Sequence, residues 1–418
     1  MLSKFRNIII MSSGYTIAIC STMIMYTLLP ILYTEIWWST SAGFMIMIMT
    51  ILQVFVFWPI AANFVDKYSA RTMLFVYASF FICWALFWLG SYFVENATLT
   101  TIFTIIMTIC FAAGYGSRFI DVYTLRMSPV WQSGIAFWWF VTFAGLGRFL
   151  GTLLQPHLVG EHTQIRAPVI MISAMIIFMI ILLFIKDDNI PKPQVIQHNN
   201  KLHHHLRDAT FKLIASYKRT FVHGWIFIKR CKDFPLIPLS IAFWEGILFG
   251  SLWFIIPLYL ANHPEYISYG FEIGVYEIIN VLFAIWFWYI ADKHNPVTTS
   301  FIWRWGILVW IITLYLYPMI EVLIPVWIIL WLSNSLLYAT GQHILSEHDE
   351  DHEDDWAYWQ TRNMITNIWY MCMPVIRWLL EFMNFQFILQ LFWSILSCIT
   401  LMGIIITFYV LIMKRHTA

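Results

Sequence analysis

The sequence predicts an all-α membrane protein with twelve transmembrane helices in two pseudo-symmetric six-helix bundles. Hydrophobic residues make up 60% of the 418 residues and charged residues only 11%, whereas soluble domains carry about 25% charged residues. The apolar residues fall into long runs, and a run of about 20 is enough to cross a bilayer. This composition excludes a soluble enzyme, a nucleic-acid-binding protein and a disordered chain.

Twelve apolar runs, called spans 1 to 12 below, alternate with mostly short polar connections. The first run follows Lys4 and Arg6 and continues to about Tyr33 without a cleavage site of small residues. It therefore predicts a membrane helix rather than a signal peptide. The spans cover approximately residues 8–32, 41–63, 72–93, 99–119, 132–156, 167–186, 235–260, 270–291, 297–318, 321–342, 359–380 and 385–413.

One long polar stretch divides the spans into an N-terminal bundle, residues 1–187, and a C-terminal bundle, residues 235–418. In the linker, residues 188–234, apolar and basic residues alternate from Leu206 to Lys232. This pattern is typical of an amphipathic helix that lies on the membrane surface.

Lysine and arginine in the short connections indicate the orientation, because cytoplasmic connections carry an excess of both. With the N-terminus inside, the only basic residue in an outer connection is Arg166. We therefore expect a multi-pass protein of the cytoplasmic (inner) membrane, with both termini and the linker in the cytoplasm.

Three features recur in the two halves at nearly the same distance along the chain. They are the Asp-Lys pairs after spans 2 and 8, the Trp-Gln pairs that open spans 5 and 11, and an arginine late in each of those spans. The separations are 226 residues for Asp66 and Asp292, 228 for Trp131 and Trp359, and 229 for Arg148 and Arg377. Together these features indicate duplication of a six-helix unit.

The connection after span 2 carries a recognisable motif. Its residues Asp66, Lys67 and Arg71 match G-x-x-x-D-[RK]-x-G-x-[RK], with Ala62 and Ser69 in place of the glycines. Together with the twelve spans, the central linker and the repeated half, the chain resembles the twelve-helix transporters of the major facilitator superfamily over essentially its whole length. The resemblance implies bundles built from three-helix inverted repeats around a central cavity, and transport by alternating access.

The resemblance also implies a gating role for this motif. Asp66, Lys67 and Arg71, with Asp292 and Lys293 in the second copy, would form cytoplasmic ion pairs that break and re-form as the halves move. Ordinary solvated charges in a connection are the alternative.

Span 5 resembles a degraded form of the G-P-x-x-G-G motif of exporters in this family. Arg148 stands where proline is expected, while Gly147 and Gly151 are one helical turn apart. That glycine spacing predicts close packing against another helix.

Two acidic residues inside spans are candidates for proton coupling. Glu245 lies about ten residues into span 7, roughly 15 Å along the helix and near the midplane, and Glu277 is deep in span 8. An apolar setting favours the protonated form of a carboxylate, so either residue could take and release a proton. A salt bridge to a membrane arginine and a bystander role remain as alternatives.

Two arginines inside spans are candidates for substrate binding. Arg148 and Arg377 lie in the outer halves of spans 5 and 11 at pseudo-symmetric positions. The planar guanidinium is suited to carboxylates and phosphates. The alternative is structural, in which each arginine reaches the outer headgroups or pairs with Glu272 or Glu277. Arg304 lies only a few residues into span 9, which is peripheral in the resembled family, so we predict no ligand role for it.

Span 1 is rich in hydroxyl groups, which would either line a cavity or bond to their own helix backbone. They belong to Ser12, Ser13, Tyr15, Thr16, Ser21, Thr22 and Tyr26.

The connection after span 10 combines histidines with acids. Residues 343–355 contain His343, His348 and His352 and seven of the 23 acidic residues. Imidazole with carboxylate suits Zn, Mn, Fe or Ni, so a metal site is one interpretation. A solvated loop, or a gate that pairs with the basic linker, are the others.

The sequence therefore predicts a secondary active transporter, with protons as coupling ion and a small organic anion, such as a carboxylate metabolite or siderophore, as substrate. The alternatives are efflux of hydrophobic compounds, metal-ion transport through the 343–355 loop, and a sensor that keeps the fold. We expect a monomer in the lipid bilayer, with no cofactor and no nucleic-acid partner. No Walker A motif indicates ATP drive.

Overall fold

The computed structural model describes the first half of the chain almost continuously and the second half at scattered helical positions. In the part described, all regular structure is helical, which confirms the all-α prediction. The chain divides into two compact units, Met1–His223 and Gly224–Ala418. The described residues are 2–36, 48–49, 51–57, 70–117, 120, 133–158, 162–185, 214–215, 218, 281–283, 286, 298, 304–305, 308–309, 312, 316, 372, 376, 401–405 and 408.

The division between the units falls inside the predicted linker, residues 188–234. The limits of that linker, and those of spans 7 to 12, lie outside the described residues and stay predictions.

Five helices form the described part of the N-terminal unit, and they correspond to predicted spans 1, 3, 4, 5 and 6. A short π-helical segment, Gln53–Phe57, lies within predicted span 2. The helices are α1 (Leu2–Ile36), α2 (Ala70–Phe93), α3 (Ala97–Ser117), α4 (Ser133–Leu158) and α5 (Thr163–Leu182).

These helices include segments that are long and apolar enough to cross a bilayer. Four such segments occur among the described residues: Arg6–Met25, Arg71–Phe93, Ala97–Tyr115 and Thr163–Leu182. Helix α1 begins before the predicted start of span 1 and includes Lys4 and Arg6. Hydropathy locates only the apolar part of a membrane helix, whereas backbone hydrogen bonding continues beyond it.

The connection between α2 and α3 is only three residues long, and Asn96 ends it by capping α3. Its Oδ1 accepts hydrogen bonds from the backbone N–H groups of Thr98 at 3.0 Å and Leu99 at 3.2 Å. An asparagine at this position satisfies donors that the first helical turn leaves without partners. The cap therefore fixes where α3 begins.

Helix α1 packs between α4 and α5, α5 packs on α2, and α2 packs on α3. Large aromatic side chains fill the centre of this arrangement. Tyr15 of α1 stacks on Phe140 of α4 with ring centroids 5.4 Å apart, and Trp84 of α2 meets Phe111 of α3 at 4.4 Å. Among the residues that the structure describes, the fully buried aromatic ones are Phe81, Trp84, Trp88, Phe111 and Phe178.

Aliphatic side chains cover the outside of the same helices. Leu86 on α2, Ile105 on α3 and Ile180 on α5 are exposed. Exposed aliphatic residues of this kind are expected where lipid is the solvent. Packed aromatic side chains inside and exposed aliphatic side chains outside therefore agree with a membrane-spanning bundle.

Candidate functional site

Helices α1 and α4 touch backbone to backbone along a line of small residues. A Cβ atom on Gly147 would lie 2.5 Å from the carbonyl oxygen of Thr16, and one on Gly151 would lie 2.5 Å from that of Cys20. Both distances are shorter than real Cβ contacts, so only glycine fits at either position. This confirms the close packing that the glycine spacing predicts.

A hydrogen bond between the helices reinforces this approach. The Oγ1 of Thr16 lies 3.1 Å from the carbonyl oxygen of Phe143 and also 3.1 Å from that of Ser12 in its own helix. Phe143, Gly147 and Gly151 recur every four residues and therefore lie on one face of α4. We call this set, Thr16, Cys20, Phe143, Gly147 and Gly151, the α1/α4 seam.

Arg148 follows Gly147 directly, so the seam fixes the position of its backbone. The side chain is half-buried, and its Nε atom is shielded from solvent. The Oγ1 of Thr152, one turn later, donates to the carbonyl oxygen of Arg148 at 3.1 Å or to that of Phe149 at 2.9 Å. The guanidinium of an arginine presents a planar set of donors that matches a carboxylate.

Most described hydroxyls of α1 bond to their own helix rather than stand free. Ser13 donates to the carbonyl oxygen of Ile9, and both Ser21 and Thr22 donate to that of Ala18, each at 2.8 Å. For Ser13, Ser21 and Thr22 the structure therefore shows bonding to the helix backbone, the second of the two alternatives from the sequence.

Ser12 differs from the other α1 hydroxyls, because its Oγ is buried and has no hydrogen-bond partner in the described part of the chain. The Oγ of Ser21 also lies 3.1 Å from the Sδ of Met171 on α5. Ser21 therefore also contacts a neighbouring helix, in addition to its bond within α1.

Of the predicted gate motif, the structure describes Arg71, which is half-buried at the second residue of α2. Groups of three or more potential metal-binding side chains are absent from the residues that the structure describes. Eleven other residues of the predicted sites lie outside the part of the chain that the structure describes. They are Asp66, Lys67, Glu245, Glu277, Asp292, Lys293, His343, His348, His352 and Arg377, together with the pairing residue Glu272.

Two features of the structure were not predicted from the sequence. Trp88 of α2 donates from its Nε1 to the Oε1 of Gln164 on α5 at 2.8 Å, which joins spans 3 and 6. In the C-terminal unit, Arg304 is only 3% exposed and its guanidinium contacts Gly403. The sequence signal for the first feature is Gln164, a polar residue just before span 6. The signal for the second is Arg304, a lone charge inside span 9.

No protein-family model matches the sequence, and no curated protein matches it. Solved structures do match over nearly the whole chain. The human organic anion transporter MFSD10 (TETRAN) superposes with a TM-score of 0.64 at 11% identity, covering 97% of this chain and 99% of that protein.

Two further transporters match in the same way. A bacterial homologue of the iron transporter ferroportin in an outward-facing state has a TM-score of 0.66 at 12% identity, covering 97% of this chain and 99% of its own. A POT family transporter in complex with a thioalcohol-conjugated peptide has a TM-score of 0.64 at 13% identity, covering 98% and 96%. These full-length matches at low identity show that the chain shares the fold of these three transporters.

Proposed function

We propose that the protein is a proton-coupled secondary transporter, rather than an enzyme, that moves a small organic anion by alternating access. The full-length fold of known transporters carries this proposal. The membrane is the cytoplasmic one, both termini lie in the cytoplasm, and the protein acts as a monomer.

Arg148 supports an anion as substrate. A charged residue inside a span raises the free energy of insertion by about 2.5–3.5 kcal/mol, and such residues by default mark function. Arg148 is half-buried and follows Gly147, whose backbone packs against α1 in the α1/α4 seam, so the starting point of its side chain is fixed. One structural neighbour is an organic anion transporter, which agrees with this substrate class. Arg377 is the proposed counterpart in the second half.

Proton coupling is assigned to Glu245, with Glu277 as the second candidate. A carboxylate in an apolar span changes its charge when it takes up a proton, and that change can be linked to movement of the halves. Asp66, Lys67 and Arg71, with Asp292 and Lys293, form the proposed cytoplasmic gate.

A metal ion is the second candidate substrate. The specific observation in its favour is the match to a homologue of an iron transporter, together with His343, His348 and His352 in an acidic connection. In this version the connection collects the ion on the cytoplasmic side before it enters the cavity.

The experiment that tests the proposal uses liposomes containing the full-length protein and a pH-sensitive dye. Citrate, a hydroxamate siderophore, tetraphenylphosphonium and Fe²⁺ are added separately. We expect citrate or the siderophore to change the internal pH, and we expect Glu245→Gln to abolish the change. Glu95→Gln is the matched control, because Glu95 is exposed in the α2–α3 connection.

Each result decides one part of the proposal. A response to Fe²⁺ alone would replace the anion by a metal ion, and a response to tetraphenylphosphonium alone would favour efflux of hydrophobic compounds. An undiminished response in Glu245→Gln would remove that residue from proton coupling. No response to any compound, with intact protein in the liposomes, would contradict proton-coupled transport of these classes.

A further inference from the structure

Arg304 lies on the buried side of span 9. Arg304 and Leu308 are buried, whereas Trp305, Val309 and Ile312 are exposed. Positions 304 and 308 are one helical turn apart, so they share a face. The positive charge therefore faces the interior of the C-terminal unit rather than lipid.

Gly403, in span 12, provides the space that the Arg304 side chain occupies. A Cβ atom on Gly403 would overlap the Nη1 of Arg304 and would lie 3.0 Å from its Cζ. Gly403 and Ile404 are buried, whereas Met402 and Ile405 on either side are exposed. The guanidinium is therefore held between the buried faces of spans 9 and 12.

The contact between spans 9 and 12 has a counterpart in the first half of the chain. There, spans 3 and 6 are helices α2 and α5, which also pack on each other. That contact includes aromatic rings, such as the pair of Tyr77 and Phe178, and a neutral hydrogen bond from Trp88 to Gln164. The C-terminal unit has a buried cation in the equivalent contact.

We propose that Arg304 is a positioning residue whose charged side chain, accommodated by Gly403, holds span 9 against span 12. A buried arginine in a membrane protein needs compensating acceptors around it, because an uncompensated charge is costly in an apolar medium. Its planar fork satisfies such acceptors in one geometry. Alternating access by rocking requires each bundle to move as a rigid body, and this contact gives the second bundle that rigidity. The inference does not depend on the substrate.

The test is a double-mutant cycle on thermal unfolding of the full-length protein in detergent, which needs no substrate. We expect Gly403→Ala to lower the Tm by roughly 2–10 °C, because the added methyl displaces the guanidinium. In an Arg304→Ala background the same substitution should change the Tm by less than about 2 °C, since the guanidinium that the methyl group would displace is absent. Equal losses in the two backgrounds would overturn the contact.

A second comparison tests whether the charge matters. Arg304→Lys keeps the charge and Arg304→Met keeps an unbranched apolar side chain. We expect lysine to retain a higher Tm than methionine, because methionine removes every donor that could satisfy an acceptor at this buried position. A methionine variant as stable as the lysine variant would reduce Arg304 to packing and overturn its role as a charged positioning residue. Ile405→Ala, on the exposed side of span 12, is the control for Gly403→Ala.

Discussion

Gly147 lies so close to Thr16 that a Cβ atom on the glycine would be 2.5 Å from the threonine carbonyl oxygen. Backbone atoms block this position, and a backbone of two packed helices yields less readily than a side chain. The relationship between these two residues sets how closely spans 1 and 5 approach. It also sets where the following residue, Arg148, can place its guanidinium.

Substitution of Gly147 by alanine tests this relationship directly. We expect Gly147→Ala to lower the free energy of unfolding by about 1–3 kcal/mol or more, because the helices must separate to admit the methyl group. The side chain of Ile19 also lies against this Cβ position. Ile19→Ala should nevertheless not rescue Gly147→Ala, since the Thr16 carbonyl remains. The measurement is thermal unfolding in detergent.

Gly90→Ala is the matched comparison for Gly147→Ala. The atoms nearest to a Cβ there belong to the Phe103 ring, at 2.9 Å, and a ring can shift. We expect a smaller loss of stability than for Gly147→Ala. Similar losses for the two variants would show that the backbone approach has no special importance.

The hydroxyl of Thr16 gives a second prediction about the same seam. Thr16→Val keeps the shape of the side chain and removes the bond to the Phe143 carbonyl oxygen. Hydrogen bonds between membrane helices contribute about 0.6 kcal/mol on average, so we expect a small decrease in unfolding free energy. Ser13→Ala is the control, because that hydroxyl bonds within α1. A larger loss for Ser13→Ala would contradict a special role of the interhelical bond.

The start of α3 depends on the Asn96 cap. Asn96→Ala removes the acceptor for the N–H groups of Thr98 and Leu99, and loss of such a cap costs about 1 kcal/mol. We expect faster amide hydrogen exchange at Thr98 and Leu99, with exchange in the middle of α3 unchanged. Unchanged exchange at these two amides would show that the side chain does not cap the helix.

The sequence predicted the described helices of the first half well, because an apolar run of about 20 residues has few other stable structures in a membrane. It did not predict which side of each helix faces inward. On α2 the buried Phe81 and the exposed Leu86 are both apolar, so periodicity of hydropathy separates them poorly.

The same limit applies to the charged residues. The position of Arg148 in the outer half of span 5 stays a prediction, whereas the close packing of Gly147 and Gly151 could be predicted from the sequence. The burial of Arg304 could not, because it depends on Gly403 in another span, and sequence spacing carries no information about that contact. Spacing of one helical turn predicts that two residues share a face, but no spacing rule predicts a contact between Arg304 and Gly403, which are 99 residues apart.

The substrate role of Arg148 is the prediction with the most direct bearing on function. Arg148→Gln keeps a polar side chain and removes the charge. A hydrogen bond to a charged group contributes about 1.5–3 kcal/mol, which corresponds to roughly 10- to 150-fold in affinity. We therefore expect a loss of that size in the affinity for citrate or a hydroxamate siderophore, measured as the concentration dependence of flux in liposomes, with a much smaller loss for neutral compounds.

Arg166→Gln is the control for Arg148→Gln, because Arg166 is exposed in the first turn of α5 and carries the same charge. Its effect on anion affinity should be small, since solvent and salt screen an exposed charge. Equal losses for anionic and neutral compounds in Arg148→Gln would make this arginine structural. In that case the seam would hold it for packing between spans 1 and 5, and the substrate would have to be bound by other residues.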